Sequence, residues 1–208
     1  MKRSMRTLLP CLVLAGLVFS AEAKTWSFAP DAVCRIIGRA DVRNQHDQSL
    51  FSTFNSVGDP TNNQHTLLHT SNASFMNQLD IQLGPLAAGG IYVIHEVSLI
   101  VGHPLDDYTQ IVQPRSILRD WDPATVTWNT FNNGGTAGVD YTASSAATDT
   151  RLIDDGATAY ALQWELTDQV NAWLNGQTNR GLFFPVGPSD APGTYTLPAY
   201  VRWQLTAQ

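Results

Sequence analysis

Apolar and polar positions alternate along much of this chain. Across residues 75–83, Phe75, Leu79, Ile81 and Leu83 share one side, Gln78, Asp80 and Gln82 the other, and Asn77 is the one polar residue on the apolar side. The same period recurs in Ile91, Val93, Val97, Leu99 and Val101, in Tyr160, Leu162, Trp164 and Leu166, and in Tyr195, Leu197, Val201, Trp203 and Leu205. A period of two puts successive side chains on opposite faces, so these stretches predict half-buried antiparallel strands. Residues 181–186 and 111–118 are shorter candidates, and Pro114 assigns the latter to an edge or a bulge because it cannot donate to a ladder.

Gly, Asn, Asp, Pro and Ala clusters at 58–63, 87–90 and 132–135 read as loops. The stretch 140–156, rich in Ala, Ser, Thr and Asp, reads as a long surface loop. One helical signal interrupts the strands. Thr167 is a capping residue, Asp168 lies where a helix dipole favours an anion, and Val170, Trp173 and Leu174 recur at helical spacing before Gly176. The pattern as a whole predicts an all-β fold, an antiparallel β-sandwich with jelly-roll-like connections and one short plug helix around residues 168–175, with Trp173 in the core.

The N-terminus changes the picture of the remainder. Lys2, Arg3 and Arg6 precede an apolar run from Leu8 to Phe19, and Ala21, Glu22 and Ala23 supply a small-x-small cleavage pattern. Residues 1–23 therefore read as a secretory signal peptide and 24–208 as a single β-sandwich domain, secreted to an extracellular or periplasmic space. The apolar run is too short to span a bilayer, which excludes membrane insertion by this segment. Loss of Lys2, Arg3, Arg6 and Glu22 leaves nine basic and seventeen acidic residues. That balance makes nucleic acid a poor partner, since phosphate neutralisation needs a basic face. Cys34 is then the only cysteine, so an intramolecular disulfide is excluded and a buried thiol is expected.

Two Trp-centred segments carry a family resemblance. Trp121, Thr125, Val126, Thr127 and Trp128 fall on a W-x-x-x-T-V-T-W pattern, and Thr167, Val170 and Trp173 are followed by Asn179, Gly181 and Leu182 on an N-x-G-L pattern. Together with the paired strands upstream, roughly residues 65–206 resemble the DNRLRE-type domains, also grouped as a carbohydrate-binding-module family. The resemblance implies an exported β-sandwich associated with polysaccharide; fold analogy by itself does not assign a function.

No Gly-x-Ser-x-Gly elbow, His-Glu-x-x-His pair, phosphate-cradling loop or cysteine cluster is present. His95 falls on an apolar stripe and reads as a core histidine. His65 and His69 share a face and raise a metal pair, which lacks a third local ligand. Asp106 with Asp107, Asp120 with Asp122 and Asp154 with Asp155 could each contribute oxygens to a structural calcium site, though none has EF-hand spacing. Trp164, Trp173 and Trp203 read as core, and so do Trp121 and Trp128. Sugar-stacking candidates lie on the opposite faces, where Tyr92 accompanies Glu96 and Ser98 and Tyr200 accompanies Arg202 and Gln204, with Tyr108, Phe131 and Tyr141 in loops. The expected ligand-binding residues are Tyr92, Glu96, Tyr200 and Arg202, with no catalytic residue, no metal ligand and no cofactor apart from the calcium just considered. A non-catalytic polysaccharide binder is the leading expectation. A structural or adhesive surface protein follows it, and a polysaccharide lyase comes third.

Overall fold

The computed structural model describes residues 22–38, 41, 43–48, 64–103, 112–154, 160–186 and 200–208. Two antiparallel sheets face each other. The first contains β1 (Lys24–Phe28), β5 (Ile94–His103), β7 (Asp149–Ile153), β8 (Tyr160–Glu165) and β10 (Tyr200–Ala207), in the order β1-β10-β5-β8-β7. The second contains β2 (Ala32–Ile37), β3 (Asp47–Gln48), β4 (Gln64–His69), β6 (Arg115–Ser116) and β9 (Leu182–Val186), in the order β3-β2-β4-β9-β6. The chain crosses repeatedly between sheets, and two helices make such crossings: α1 (Asn72–Leu83) joins β4 to β5 and α2 (Thr167–Leu174) joins β8 to β9. Both close the same end of the sandwich, where the Asn72 amide donates to the Trp173 carbonyl at 2.9 Å. No helix among the described residues is long and apolar enough to cross a membrane.

The predicted stripes build the space between the sheets. Val97, Leu99 and Val101 of β5 lie opposite Leu205, Trp203 and Val201 of β10, and beside Trp164 and Leu162 of β8. With Leu68, Leu182, Phe184, Phe75, Leu79, Val170 and Trp173 they form one buried cluster. Trp164 and Trp203 are fully buried, and each indole N–H has a partner, the Val112 carbonyl and the Thr70 hydroxyl, both at 2.8 Å. Trp26, on β1, packs against the same cluster.

A second cluster lies on the other side of the second sheet. Cys34, Ile36, Leu67 and Phe183 point outward there and meet Ile117, Val126, Trp128 and Phe131 from the connection between β6 and β7. That sheet is thus buried on both faces, one by strands and one by loop. The loop is ordered by Asp140, whose carboxylate accepts from Asn132 Nδ2 and the Thr136 N–H, both at 2.7 Å, and from Arg119 at 3.1 Å. Burial raises the Asp140 pKa, but these donors outweigh it and hold the group below the ordinary carboxylate value. The expected thiol is buried, with Cys34 Sγ donating to the Pro123 carbonyl at 3.2 Å.

Several expectations need correction. Residues 75–83 are not a strand but most of α1. Phe75 and Leu79 are buried, whereas Ile81 is 62% exposed. A spacing of four satisfies both strand and helix periods, and Asn77, out of place on a strand stripe, lies harmlessly on the exposed side of a helix. The start of α1 is capped, with Ser71 Oγ accepting from the Ser74 N–H, while the Asp31 carboxylate accepts from the Ser71 N–H. The stretch 140–156 is not all loop, since β7 forms an edge of the first sheet within it. The plug helix expected around residues 168–175 is present as Thr167–Leu174, but Thr167 does not cap it; its hydroxyl accepts from the Val97 N–H at 2.7 Å and ties the helix to β5. Proline114 does precede an edge strand, β6. Residues 1–21, the 58–63 loop, Tyr195 and Leu197 lie outside the described residues.

Candidate functional site

The first sheet positions Tyr200 and Arg202 together on its outer face. Tyr200 pairs with Gly102, and its ring lies so close to that backbone that a Cβ on Gly102 would come within 2.4 Å of it. The Arg202 guanidinium lies over the ring, 4.6 Å from its centroid. The Tyr200 ring is therefore already in contact with Gly102 and Arg202, and a sugar would have to displace the arginine to stack on the face it covers. Thr206, not Arg202, is the partner of Glu96, which puts Glu96 four residues further along the sheet, about 13 Å away.

Tyr92 does not join either group. It precedes β5, packs partly against the main core, and donates its hydroxyl to the Asp80 carboxylate and to the Gly84 carbonyl, the latter at 2.7 Å. Desolvation and the Asp80 charge push its pKa up to about 12. Tyr92 is thus a tie between α1 and the start of β5, and the four expected ligand-binding residues do not converge.

The other loop aromatics and the histidines also find protein partners. Tyr141 stacks on Phe183 at 4.3 Å, and Phe131 is fully buried against the same ring. His95 is exposed rather than core, because the apolar stripe of its strand becomes buried only from Val97 onward. His65 stacks on Trp128 with centroids 5.0 Å apart, and burial lowers its pKa to about 4. His69, four residues along β4, faces Trp121 edge-on at 6.3 Å, so the two histidines serve separate aromatic contacts rather than one metal. Asp122 accepts from the Ala124 N–H and from Thr125 Oγ1, folding its own turn, while Asp120 pairs elsewhere. Among the described residues no three His, Cys, Asp or Glu side chains converge on a common point. Tyr108, Asp106, Asp107 and Asp155 lie outside the described residues.

Open space among the described residues lies on the second sheet's side, near the plug helix. Trp121 packs one part of its ring on the second cluster and donates its indole N–H to the Arg180 carbonyl at 2.7 Å, which fixes the ring plane. Arg180 Nε donates to Asp120 Oδ1 at 2.7 Å; the Arg180 side chain is 30% exposed and that of Asp120 90%. His69, Asn179 and Pro123 complete a cleft of about 130 Å³ around them. Burial lowers the His69 pKa, with the Asp31 charge opposing, so this imidazole is neutral at pH 7. Arg180 also borders a larger trough of about 440 Å³, walled by Asp168, Gln169 and Trp173 of α2 and by Ser116, Thr142 and Ser144.

Local chain chemistry sets this geometry. Gly181, at φ +87°, turns the chain from Arg180 into β9, and a Cβ there would lie 2.1 Å from the Leu68 carbonyl oxygen. Asn179 is fully engaged, donating to the Thr70 carbonyl and Asn72 Oδ1 and accepting from the Gly181 N–H. Its role is to hold the bend. Sequence reasoning assigned Trp121 to the core and missed the cleft, because Arg180 and Asp120 are sixty residues apart and only the fold brings them together. The usable signal was a tryptophan flanked by Asp120, Asp122 and Pro123, a polar, turn-forming setting unlike the strand stripes of Trp164 and Trp203. Comparison with known proteins found no family model, no curated protein and no solved structure that matches this chain.

Proposed function

We propose that this chain is an exported, non-catalytic β-sandwich protein that binds polysaccharide, and that sugar is held in the groove running from Trp121 past Arg180 along α2. The observation that carries this reading is the immobilised, half-buried Trp121 ring beside hydrogen-bonding groups of both kinds, Arg180 as donor and Asp120 as acceptor. A pyranose offers an apolar C–H face and a hydroxyl rim, which is the complement of that arrangement. The adjoining trough falls within the size range of small-ligand sites and combines hydroxyl, amide and carboxylate groups with apolar surface from Ile117, Leu118 and Trp173. The resemblance of the Trp121 and Trp173 segments to DNRLRE-type domains supports the same reading.

The test is binding of the purified chain to a panel of soluble glycans by calorimetry or affinity electrophoresis. Trp121→Ala is expected to weaken binding of the recognised glycan about tenfold, the scale of one lost aromatic contact, measured at a temperature where a thermal melt shows the variant folded, because the ring also packs on the second cluster. Equal binding by both forms would place the sugar elsewhere.

A structural or adhesive role is the second reading. Its support is the run of exposed apolar side chains on and after α1, where Ile81, Leu86, Ile91 and Val93 are 62%, 41%, 79% and 40% accessible. A lyase is disfavoured by the groove itself. Its cation, Arg180, which would have to neutralise a substrate carboxylate, is already paired with Asp120, and the Asn179 amide is consumed in holding the chain.

A further inference from the structure

The groove contains one cation and two carboxylates among its described lining residues: Arg180 borders both lobes, Asp120 the small cleft and Asp168 the trough. Asp120 engages only the Nε of Arg180, and no bond to another described residue occupies Nη1 or Nη2. The guanidinium is therefore fixed in orientation with the N–H groups of both Nη nitrogens still to offer, next to a carboxylate that is 90% exposed and has acceptor capacity remaining.

We infer that Asp120 is the specificity-determining residue of this groove, pairing with Arg180 so that uncharged sugar units are accepted and uronates are refused. The inference rests on the polysaccharide reading above and adds the class of sugar. A neutral pyranose stacked on Trp121 presents neighbouring hydroxyls, one able to accept from Arg180 and the other to donate to Asp120. Both partners of the ion pair are then used without separating them. A uronate carboxylate would seek the same Arg180 donors, but would stand within a few ångströms of the Asp120 carboxylate, with Asp168 further along the groove. One cation then faces three anions. At a surface site that repulsion is screened yet still amounts to about fivefold or more in affinity at low salt.

The experiment compares neutral oligosaccharides (cello- and manno-series) with oligogalacturonate and oligomannuronate, on the wild-type chain and on Asp120→Asn and Asp120→Ser, at low and at moderate sodium chloride. Both substitutions are at an exposed side chain, and a thermal melt checks that each variant folds. Expected are neutral-sugar binding by the wild type that is nearly independent of salt, weak or undetectable uronate binding, and a rise of about fivefold or more in uronate affinity in both variants that added salt reverses. Wild-type binding of uronates as tight as that of neutral sugars, or uronate affinity unchanged in the variants, overturns the assignment of Asp120 while leaving the groove as the sugar site. Failure of every glycan to bind the wild-type chain overturns both readings together.

Discussion

On the outer face of the first sheet, an aromatic ring and a guanidinium close upon each other: Tyr200 lies against Gly102, and Arg202 lies over its ring. Beside the second sheet, Trp121 and Arg180 are joined through a backbone carbonyl instead, so the ring and the cation stand side by side around open space. The residue types are alike and the consequences opposite. On a flat sheet, neighbours two residues apart on one strand are within stacking reach and satisfy one another. At the bend before β9, Gly181 and Asn179 fix the backbone at Arg180, and the Arg180 guanidinium turns to Asp120. Binding capacity follows from what keeps such groups apart, more than from their presence.

The largest test of this contrast is to remove the support beneath the groove. Trp173 of α2 is 2% exposed and lies in the main core, and it also contributes to the trough wall. Trp173→Ala is expected to cost about 3–5 kcal/mol, as aromatic truncations in cores do, and to abolish glycan binding with the fold's stability. An unchanged denaturation midpoint would show that the groove side of the molecule does not depend on this plug. Gly181→Ala should follow at about 3 kcal/mol, from a left-handed backbone occupied by a non-glycine residue and a Cβ placed against the Leu68 carbonyl. Because that residue aims Arg180, calorimetry should register lost glycan affinity even at temperatures where circular dichroism shows the variant folded.

The second sheet's side is also expected to be the acid-sensitive one. The folded His65 imidazole takes a proton only near pH 4, against an ordinary value of 6.5, because it is buried on Trp128. Between those values the unfolded chain binds a proton that the folded chain does not. Stability is therefore insensitive to this group above pH 6.5 and falls as pH drops towards 4, by about 3 kcal/mol at pH 4, at 1.4 kcal/mol per proton per pH unit. Asp140 and Glu165, held below their ordinary values, lose their contribution only at lower pH, as the solution falls below about 4 and through their folded values. Urea titrations from pH 7 to 4 on the wild type and on His65→Phe separate the two. Most of the slope above pH 4.5 should vanish in the variant, and a slope that persists would assign it to other groups, His69 first.

How much of this was legible in the sequence differs between the two regions for a physical reason. The core of the first sheet was readable because its core-facing residues alternate with polar or small ones: Leu99, Val101, Trp164 and Trp203 all lie where the pattern put them, although Ser98, Ile100 and Gln163 on the opposite face are buried as well. The second sheet carries apolar residues on both faces, so β4, with Leu67 turned to one cluster and Leu68 to the other, has no alternation to read. Residues 75–83 failed differently, through a four-residue spacing common to both periods, and the capping by Ser71 and Gly84 that would have decided it lies just outside the stripe. The groove was least legible. Its parts come from β4, the β6–β7 connection and the turn after α2, and no local pattern encodes their meeting.

The smallest effect expected is at Tyr200, and it probes the closed surface directly. The Tyr200 hydroxyl is buried with no hydrogen-bond partner among the described residues, a state that costs about 1–3 kcal/mol relative to a satisfied group. Its ring is held by Gly102 and Arg202 through contacts that involve no hydroxyl. Tyr200→Phe keeps those contacts and deletes the unsatisfied oxygen. The variant is therefore expected to be as stable as the wild type or slightly more so, by up to about 1 kcal/mol, and to bind glycan unchanged. A loss of affinity in Tyr200→Phe with unaltered melting would mean that the hydroxyl meets the ligand. The stacked pair on the first sheet would then be a site in its own right, and the contrast between a closed face and an open groove would fail at that point.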